Sequence, residues 1–184
     1  MNDYQILTQN QVNELYEMFN HLVSTLEKYS IDYCVTDGTL LGAIRHGGLI
    51  PWDDDVDIAI ERKDVALLFH LKYIVQSNNK YKLIKVGKYI KLKKDNIWID
   101  IFILDEGVFP QKHFCDLSFT EQEYKPFKTA KFGDIIVKVP NMYQEYLNRI
   151  FTDWDKTAVM YNHKNKQKVI KSLTNELKQP LLPQ

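Results

Sequence analysis

The sequence predicts an α+β (mixed α/β) fold, a small mixed sheet flanked by helices. Three observations carry that expectation: a helical apolar period opens the chain, short β-branched and aromatic runs separated by turn residues fill its middle, and helical spacing returns near its end.

The first element is marked by Thr8 and, three residues later, Gln11, the two members of a capping box. Val12, Leu15, Phe19, Leu22 and Leu26 then recur at steps of three and four and predict an amphipathic helix. Asp32 to Thr36 reads as a buried strand entering a glycine turn, and Leu40 to Arg45 as a short helix before the Gly47-Gly48 break. Asp55 to Ile60 is the next strand. A helix from about Lys63 to Val75 follows, with Val65, Leu68, Leu71 and Val75 on one face. KYKLIKVGKYIKLKK, Lys80 to Lys94, has the pattern of a hairpin turning near Gly87 with lysines on its wet side.

Asn96 to Leu104, NIWIDIFIL, is too apolar for an edge and is expected as a central strand. Gly107 to Pro110 closes it. Phe132 to Val139 is a further strand stopped by Pro140, and Tyr143 to Phe151 and Trp154 to Leu177 are expected as helices. The whole of 1–184 reads as one domain with a C-terminal tail, PLLPQ, that frays from about residue 178.

Composition narrows the function classes. With 45% hydrophobic and 26% charged residues the chain has ordinary globular values, and its formal net charge of zero removes bulk attraction to nucleic acid or anionic membrane. No nucleic-acid partner is expected. Cys34 and Cys115 form no CxxC spacing, so neither a cysteine-rich zinc site nor a disulfide scaffold is expected. The first residues, MNDYQILTQN, lack the pattern of a secretory signal, and no run approaches the ~20 apolar residues of a membrane span. The expected compartment is the cytoplasm.

Chemistry concentrates in DGTLLGAIRHGGLIPWDDDVDIAI, Asp37 to Ile60. Asp53, Asp54, Asp55 and Asp57 stand among apolar residues, and carboxylates that close together cannot all stay ionised without a shared proton or a cation. Residues two apart in a strand share a face, so Asp55 and Asp57 form a pair of ligands. Oxygen-only ligands favour Mg²⁺ or Mn²⁺. Asp100, flanked by Ile99 and Ile101, needs a positive partner, and the ion held by Asp55 and Asp57 supplies one; Asp100 then acts as third ligand or as base. An ion pair between Asp100 and a hairpin lysine such as Lys91 is the structural alternative.

Upstream, Gly38 permits close backbone approach to a phosphate, and the Thr39 hydroxyl can donate to its oxygens at a helix start. Arg45 is the expected phosphate clamp, because a guanidinium makes paired, charge-assisted hydrogen bonds. His46 is placed beside it as a supporting or donor contact. Asp53 and Asp54 have supporting or solvent-facing roles, and Trp52 and Trp98 are expected to pack beside the site. His21, His70, His113 and His163 are isolated and read as structural or exposed. An EF-hand is excluded: Asp53, Asp55 and Asp57 have its first spacings, but Ile58 takes the glycine position and Asp64 the final glutamate position.

The order of small-residue turn, acidic pair in a strand and single acid in a later hydrophobic strand resembles the nucleotidyltransferase superfamily. GTLLGAIRHGGLIPWDDDVDIAI more specifically resembles the signature of the LicD and fukutin-related phosphotransferases, as does FGDIIVKVPNMYQEYLNRIFTDW, Phe132 to Trp154. One departure is Phe151-Thr152, where that family usually has a tyrosine-glycine pair. The resemblance implies a nucleotidyltransferase-like fold and transfer of a phosphorylated alcohol, such as phosphocholine or ribitol phosphate, from a CDP-linked donor to a sugar hydroxyl of a glycan. It carries the metal-binding acids onto Asp55 and Asp57, the later strand acid onto Asp100, the first acid of the PWD element onto Asp53, and the Arg-His pair onto Arg45 and His46. The alternative expectation is nucleotidyl transfer from a nucleoside triphosphate with release of pyrophosphate. A non-catalytic nucleotide- or nucleic-acid-binding module using the lysine hairpin is a further alternative.

Overall fold

A computed structural model describes residues 6–104, 119–162 and 167–184. Gly107 to Pro110, His113, Cys115 and His163, named above, lie outside the described residues.

The opening helix α1 (Gln9–Lys28) forms as its spacing predicts, with the Thr8 amide donating to Gln11 Oε1 at 2.9 Å and the Gln11 amide to Thr8 Oγ1 at 3.4 Å. Its apolar stripe, from Val12 to Leu26, is buried. Strand β1 (Tyr33–Val35) leads into helix α2 (Asp37–Arg45), which starts earlier than the sequence pattern indicated and takes Gly38 and Thr39 into its first turn. Strand β2 (Val56–Glu61) follows, and the expected helix over 63–75 is split into α3 (Val65–His70) and α4 (Lys72–Val75).

Strands β3 (Lys82–Val86) and β4 (Tyr89–Lys94) make the predicted hairpin. Gly87 sits at its turn with φ +58°, a conformation that disfavours a side chain. Strand β5 (Ile97–Leu104) is central, as its apolar run required. These strands form one mixed sheet in the order β1-β2-β5-β4-β3, with β2 and β5 parallel and the other neighbours antiparallel.

The period-two alternation divides the sheet. Val56, Ile58, Ile60, Ile99, Ile101, Ile90 and Leu92 are buried in the core, and α1 packs against β5. Half-buried Asp57, Asp100, Lys91 and Trp98 alternate with these residues. Parallel pairing sets Asp57 beside Asp100, and antiparallel pairing sets Asp100 beside Lys91. Three charged side chains therefore form one row across three strands.

The chain beyond the sheet departs most from expectation. Phe132 to Val139 is not one strand: after the short helix α5 (Glu121–Tyr124), β6 (Lys128–Phe132) turns at Gly133 into β7 (Ile135–Val139), and α6 (Tyr143–Ile150) follows. Trp154 to Leu177 is not a helix. It contains β8 (Thr157–Asn162) paired antiparallel with β9 (Gln167–Ser172). Here apolar and polar residues alternate imperfectly, and the polar run NHKNKQK interrupts them, so a helical period can be traced through a segment that holds two paired strands.

The tail is tied down where fraying was expected. The Leu181 amide donates to Leu49 O at 2.8 Å, and the Tyr16 hydroxyl donates to Leu181 O at 2.9 Å. No helix among the described residues is long and apolar enough to cross a membrane.

Candidate active site

Carboxylates meet at one end of the β1-β2 pair. Asp37 opens α2, Asp53 and Asp55 precede β2, Asp57 lies within it, and Asp100 comes from β5. Ligand oxygens of Asp55, Asp57 and Asp100 lie within 4.8 Å of one another, and the same holds for Asp53, Asp54 and Asp55. Asp55 belongs to both groups.

Burial and mutual repulsion show in the protonation equilibria. Desolvation first, then the Asp55 charge, pushes Asp57 well above the ordinary carboxylate range. Asp53 is raised for the same two reasons. Asp55 is pushed up to about 6 by burial and by its neighbours Asp54 and Asp100, and burial raises Asp100 as well. Asp37 rises to about 7, again by burial, and its Oδ2 is buried without a hydrogen-bond partner. An all-oxygen donor set, short mutual separations and uncompensated buried charge together fit a hard divalent cation such as Mg²⁺ or Mn²⁺.

Local structure explains how the acids are held. A Cβ on Gly38 would collide with Asp53 Oδ2, so the space that glycine opens at the start of α2 is filled by this carboxylate, where the sequence reading left it for a phosphate. Thr39 Oγ1 accepts the Asp57 amide at 2.7 Å and so locks the strand carrying that ligand; the expected role was donation to a phosphate. Trp98 Nε1 donates to Asp55 Oδ2 at 2.9 Å. Lys91 Nζ stands 3.2 Å from Asp100 Oδ1, which is the ion pair weighed above as the structural alternative.

Arg45 and His46 make contacts that their place in the sequence did not announce. Arg45 donates through one terminal nitrogen to Trp154 O at 2.7 Å and to Thr157 O at 2.9 Å, and its Nε donates to His46 Nδ1 at 3.3 Å. That bond leaves His46 Nε2 to donate to Leu177 O, 3.0 Å away. Burial and the Arg45 charge pull His46 down to about 4, so the imidazole is neutral. The pair fastens the segment after α6 to the end of α2. Arg45 still lines the cleft beside the acids.

That cleft has a volume of about 520 Å³. Gly38, Asp53, Asp54 and Asp57 form its acidic end, while Phe151, Trp154, Val159 and Ile170 give it an apolar wall. The carboxylates can thus meet a polar group while the remainder of an organic molecule contacts apolar surface.

Sequence reasoning missed Asp37 and gave Trp98 only a packing role beside the site. Asp37 has φ +43°, a conformation Asp tolerates better than most residues, and its place immediately before Gly38-Thr39 is the signal that could have marked it. Trp98 lies two residues before Asp100, on the same strand face. Tyr146, from α6, reaches Asp37 only through tertiary packing, and no local pattern announces it.

Comparison with known proteins decides the relationship. Residues 30–142 match the LicD/FKTN/FKRP nucleotidyltransferase domain. The chain belongs to the LicD/FKTN/FKRP family. The match contains α2, Asp53, Asp55, Asp57 and Asp100. An uncharacterized protein of Rickettsia prowazekii is 35% identical over 92% of this chain and 69% of its own length. The human ribitol 5-phosphate transferase FKRP is 27% identical over 74% of this chain and 31% of its own. The lipopolysaccharide cholinephosphotransferase LicD of Haemophilus influenzae is 55% identical over a segment covering 21% of this chain and 14% of that protein.

This LicD-family chain therefore spans 69% of the Rickettsia prowazekii relative, 61% of one from Rickettsia typhi and about a third of the human one. The crystal structure of ANT(2")-Ia with adenylyl-2"-tobramycin superposes with a TM-score of 0.50 at 12% identity, over 75% of this chain and 79% of that one. The fold is thus a nucleotidyltransferase-like α+β sheet with flanking helices.

Proposed function

We propose that the chain is a Mg²⁺- or Mn²⁺-dependent phosphotransferase that moves a phosphorylated alcohol, of phosphocholine or ribitol phosphate type, from a CDP-linked donor to a sugar hydroxyl of a glycan. The observation that carries the reading is the convergence of half-buried Asp55, Asp57 and Asp100, all raised in pKa, with Asp57 lining the cleft. The named relatives that share its domain are a ribitol 5-phosphate transferase and a cholinephosphotransferase.

Asp55, Asp57 and Asp100 would hold the ion, which when bound neutralises diphosphate charge. The sugar oxygen bonds to the phosphorus that carries the alcohol, the bridging P–O bond breaks, and CMP leaves with the electron pair. The hydroxyl proton passes to a triad carboxylate, a role assigned to Asp100. The apolar wall at Phe151 and Trp154 receives an organic part of the substrates, and water exclusion there strengthens the electrostatic contacts. Catalysis of this kind is positioning and charge neutralisation.

Incubation with CDP-choline or CDP-ribitol, Mg²⁺ and a panel of glycans tests the proposal, with CMP release as the readout. CMP formation that depends on both metal and acceptor is expected. Pyrophosphate from a nucleoside triphosphate, with no CMP from either donor, would replace the reading by nucleotidyl transfer.

A further inference from the structure

We propose that Trp98 and Lys91 form a positioning unit that makes the carboxylate centre select a small octahedral ion over Ca²⁺. The inference rests on the metal reading above and extends it to residues that touch neither ion nor substrate.

The unit is visible as a chain of contacts. Trp98 Nε1 donates to Asp55 Oδ2 at 2.9 Å. Lys91 Nζ lies 4.4 Å from the centroid of the same indole and 3.2 Å from Asp100 Oδ1. Sheet register fixes both residues: Lys91 faces Asp100, and Trp98 faces Lys93 two residues along the same strands. One oxygen of Asp55 is thus hydrogen-bonded by this unit, and one oxygen of Asp100 is ion-paired with it.

A carboxylate held by one oxygen is a monodentate ligand. Mg²⁺ and Mn²⁺ are satisfied by monodentate oxygens in octahedral geometry, whereas Ca²⁺ takes six to eight oxygens and gains from bidentate carboxylates. Engaging Asp55 Oδ2 and Asp100 Oδ1 therefore denies Ca²⁺ the two extra oxygens it would use. Outer contacts of this type commonly change metal affinity by about 10–100-fold. The indole does more than fill space, because its N–H direction sets the Asp55 rotamer, and Lys91 over the ring face adds a cation-π contact that holds the ring.

The test is Mn²⁺ titration of the full chain followed by electron paramagnetic resonance of the free ion, with Ca²⁺ as competitor. Trp98→Phe keeps the ring and loses the N–H; its Mn²⁺ affinity is expected to fall about 10-fold or more, with Ca²⁺ affinity unchanged or raised. Lys91→Met keeps the stem over the ring and loses the charge. It is expected to bind both ions more tightly, with Ca²⁺ gaining more, so the Mn²⁺/Ca²⁺ ratio falls again. Thermal melting without metal monitors the fold, and a purely structural role would move that melting point and leave the ratio fixed. An unchanged ratio in both variants overturns the inference while the metal reading stands. A wild-type chain that binds neither ion overturns both.

Discussion

The two ends of the β1-β2 pair carry the same kind of side chain in opposite circumstances. At one end Asp32 and Glu61 are met by Lys125, which reaches both, with Lys138 on Asp32 and Lys63 on Glu61. Burial opposes ionisation there, but the lysines win, and both carboxylates sit below their ordinary range. At the other end Asp53, Asp55 and Asp57 are pushed up, and Lys91 is the lysine paired with Asp100. A carboxylate group neutralised by its own chain is a structural device. One left short of positive charge is a site prepared for a cation from outside.

The largest expected break in that contrast is Asp57→Asn. CMP-forming turnover should fall by at least about 10²-fold, and the rise in melting temperature on adding Mg²⁺ should vanish. The metal-free variant should nevertheless melt higher than wild type, because a repelled buried charge has been removed. Wild-type turnover with metal present would sink the assignment.

Gly38→Ala tests the same end more gently. The new methyl displaces the Asp53 carboxylate, so Mn²⁺ affinity and turnover should drop by about 10-fold while the far-ultraviolet circular dichroism is preserved. An alanine variant with intact affinity would show that the position of Asp53 is unimportant.

Lys125→Met strikes the satisfied end. Its partners are partly exposed, so a loss of only about 1 kcal/mol in urea unfolding is expected, without change in metal affinity.

A last test separates acid sensitivity from either carboxylate group. His46, held near 4 against an ordinary 6.5, contributes stability that is complete above pH 6.5 and is lost as pH falls through 4. The raised aspartates act in the opposite direction, gaining stability in the metal-free chain as they protonate. The stability difference between wild type and His46→Gln, followed from pH 7.5 to 4 by urea unfolding, should therefore shrink steadily. A difference independent of pH would contradict the neutral imidazole.

Much of this was legible in local sequence. The capping box at Thr8, the β3-β4 hairpin at Gly87 and the central strand with Asp100 all follow from spacing and turn chemistry. The convergence of Asp55, Asp57 and Asp100 follows from strand period plus one parallel pairing. Asp37, Tyr146 and the Trp98 hydrogen bond were hidden because their importance lies in what a distant element brings against them. The tail was misread for a related reason: prolines argue against helix, yet nothing in PLLPQ shows that Leu49 offers Leu181 a carbonyl.

Arg45 and His46 give the molecule an unexpected interdependence. The residues that close α2, a helix whose first turn shapes the acidic end of the cleft, are also the anchor for carbonyls more than a hundred positions later in the chain. A shortened protein ending at Trp154 would keep every triad aspartate but deprive the guanidinium of Thr157 O and the imidazole of Leu177 O. The guanidinium would keep only Trp154 O, the imidazole N–H would lose its acceptor, and the wall contributed by Val159 and Ile170 would be gone. The catalytic motif and the chain that follows it are mechanically one unit, and trimming the second is a way of damaging the first.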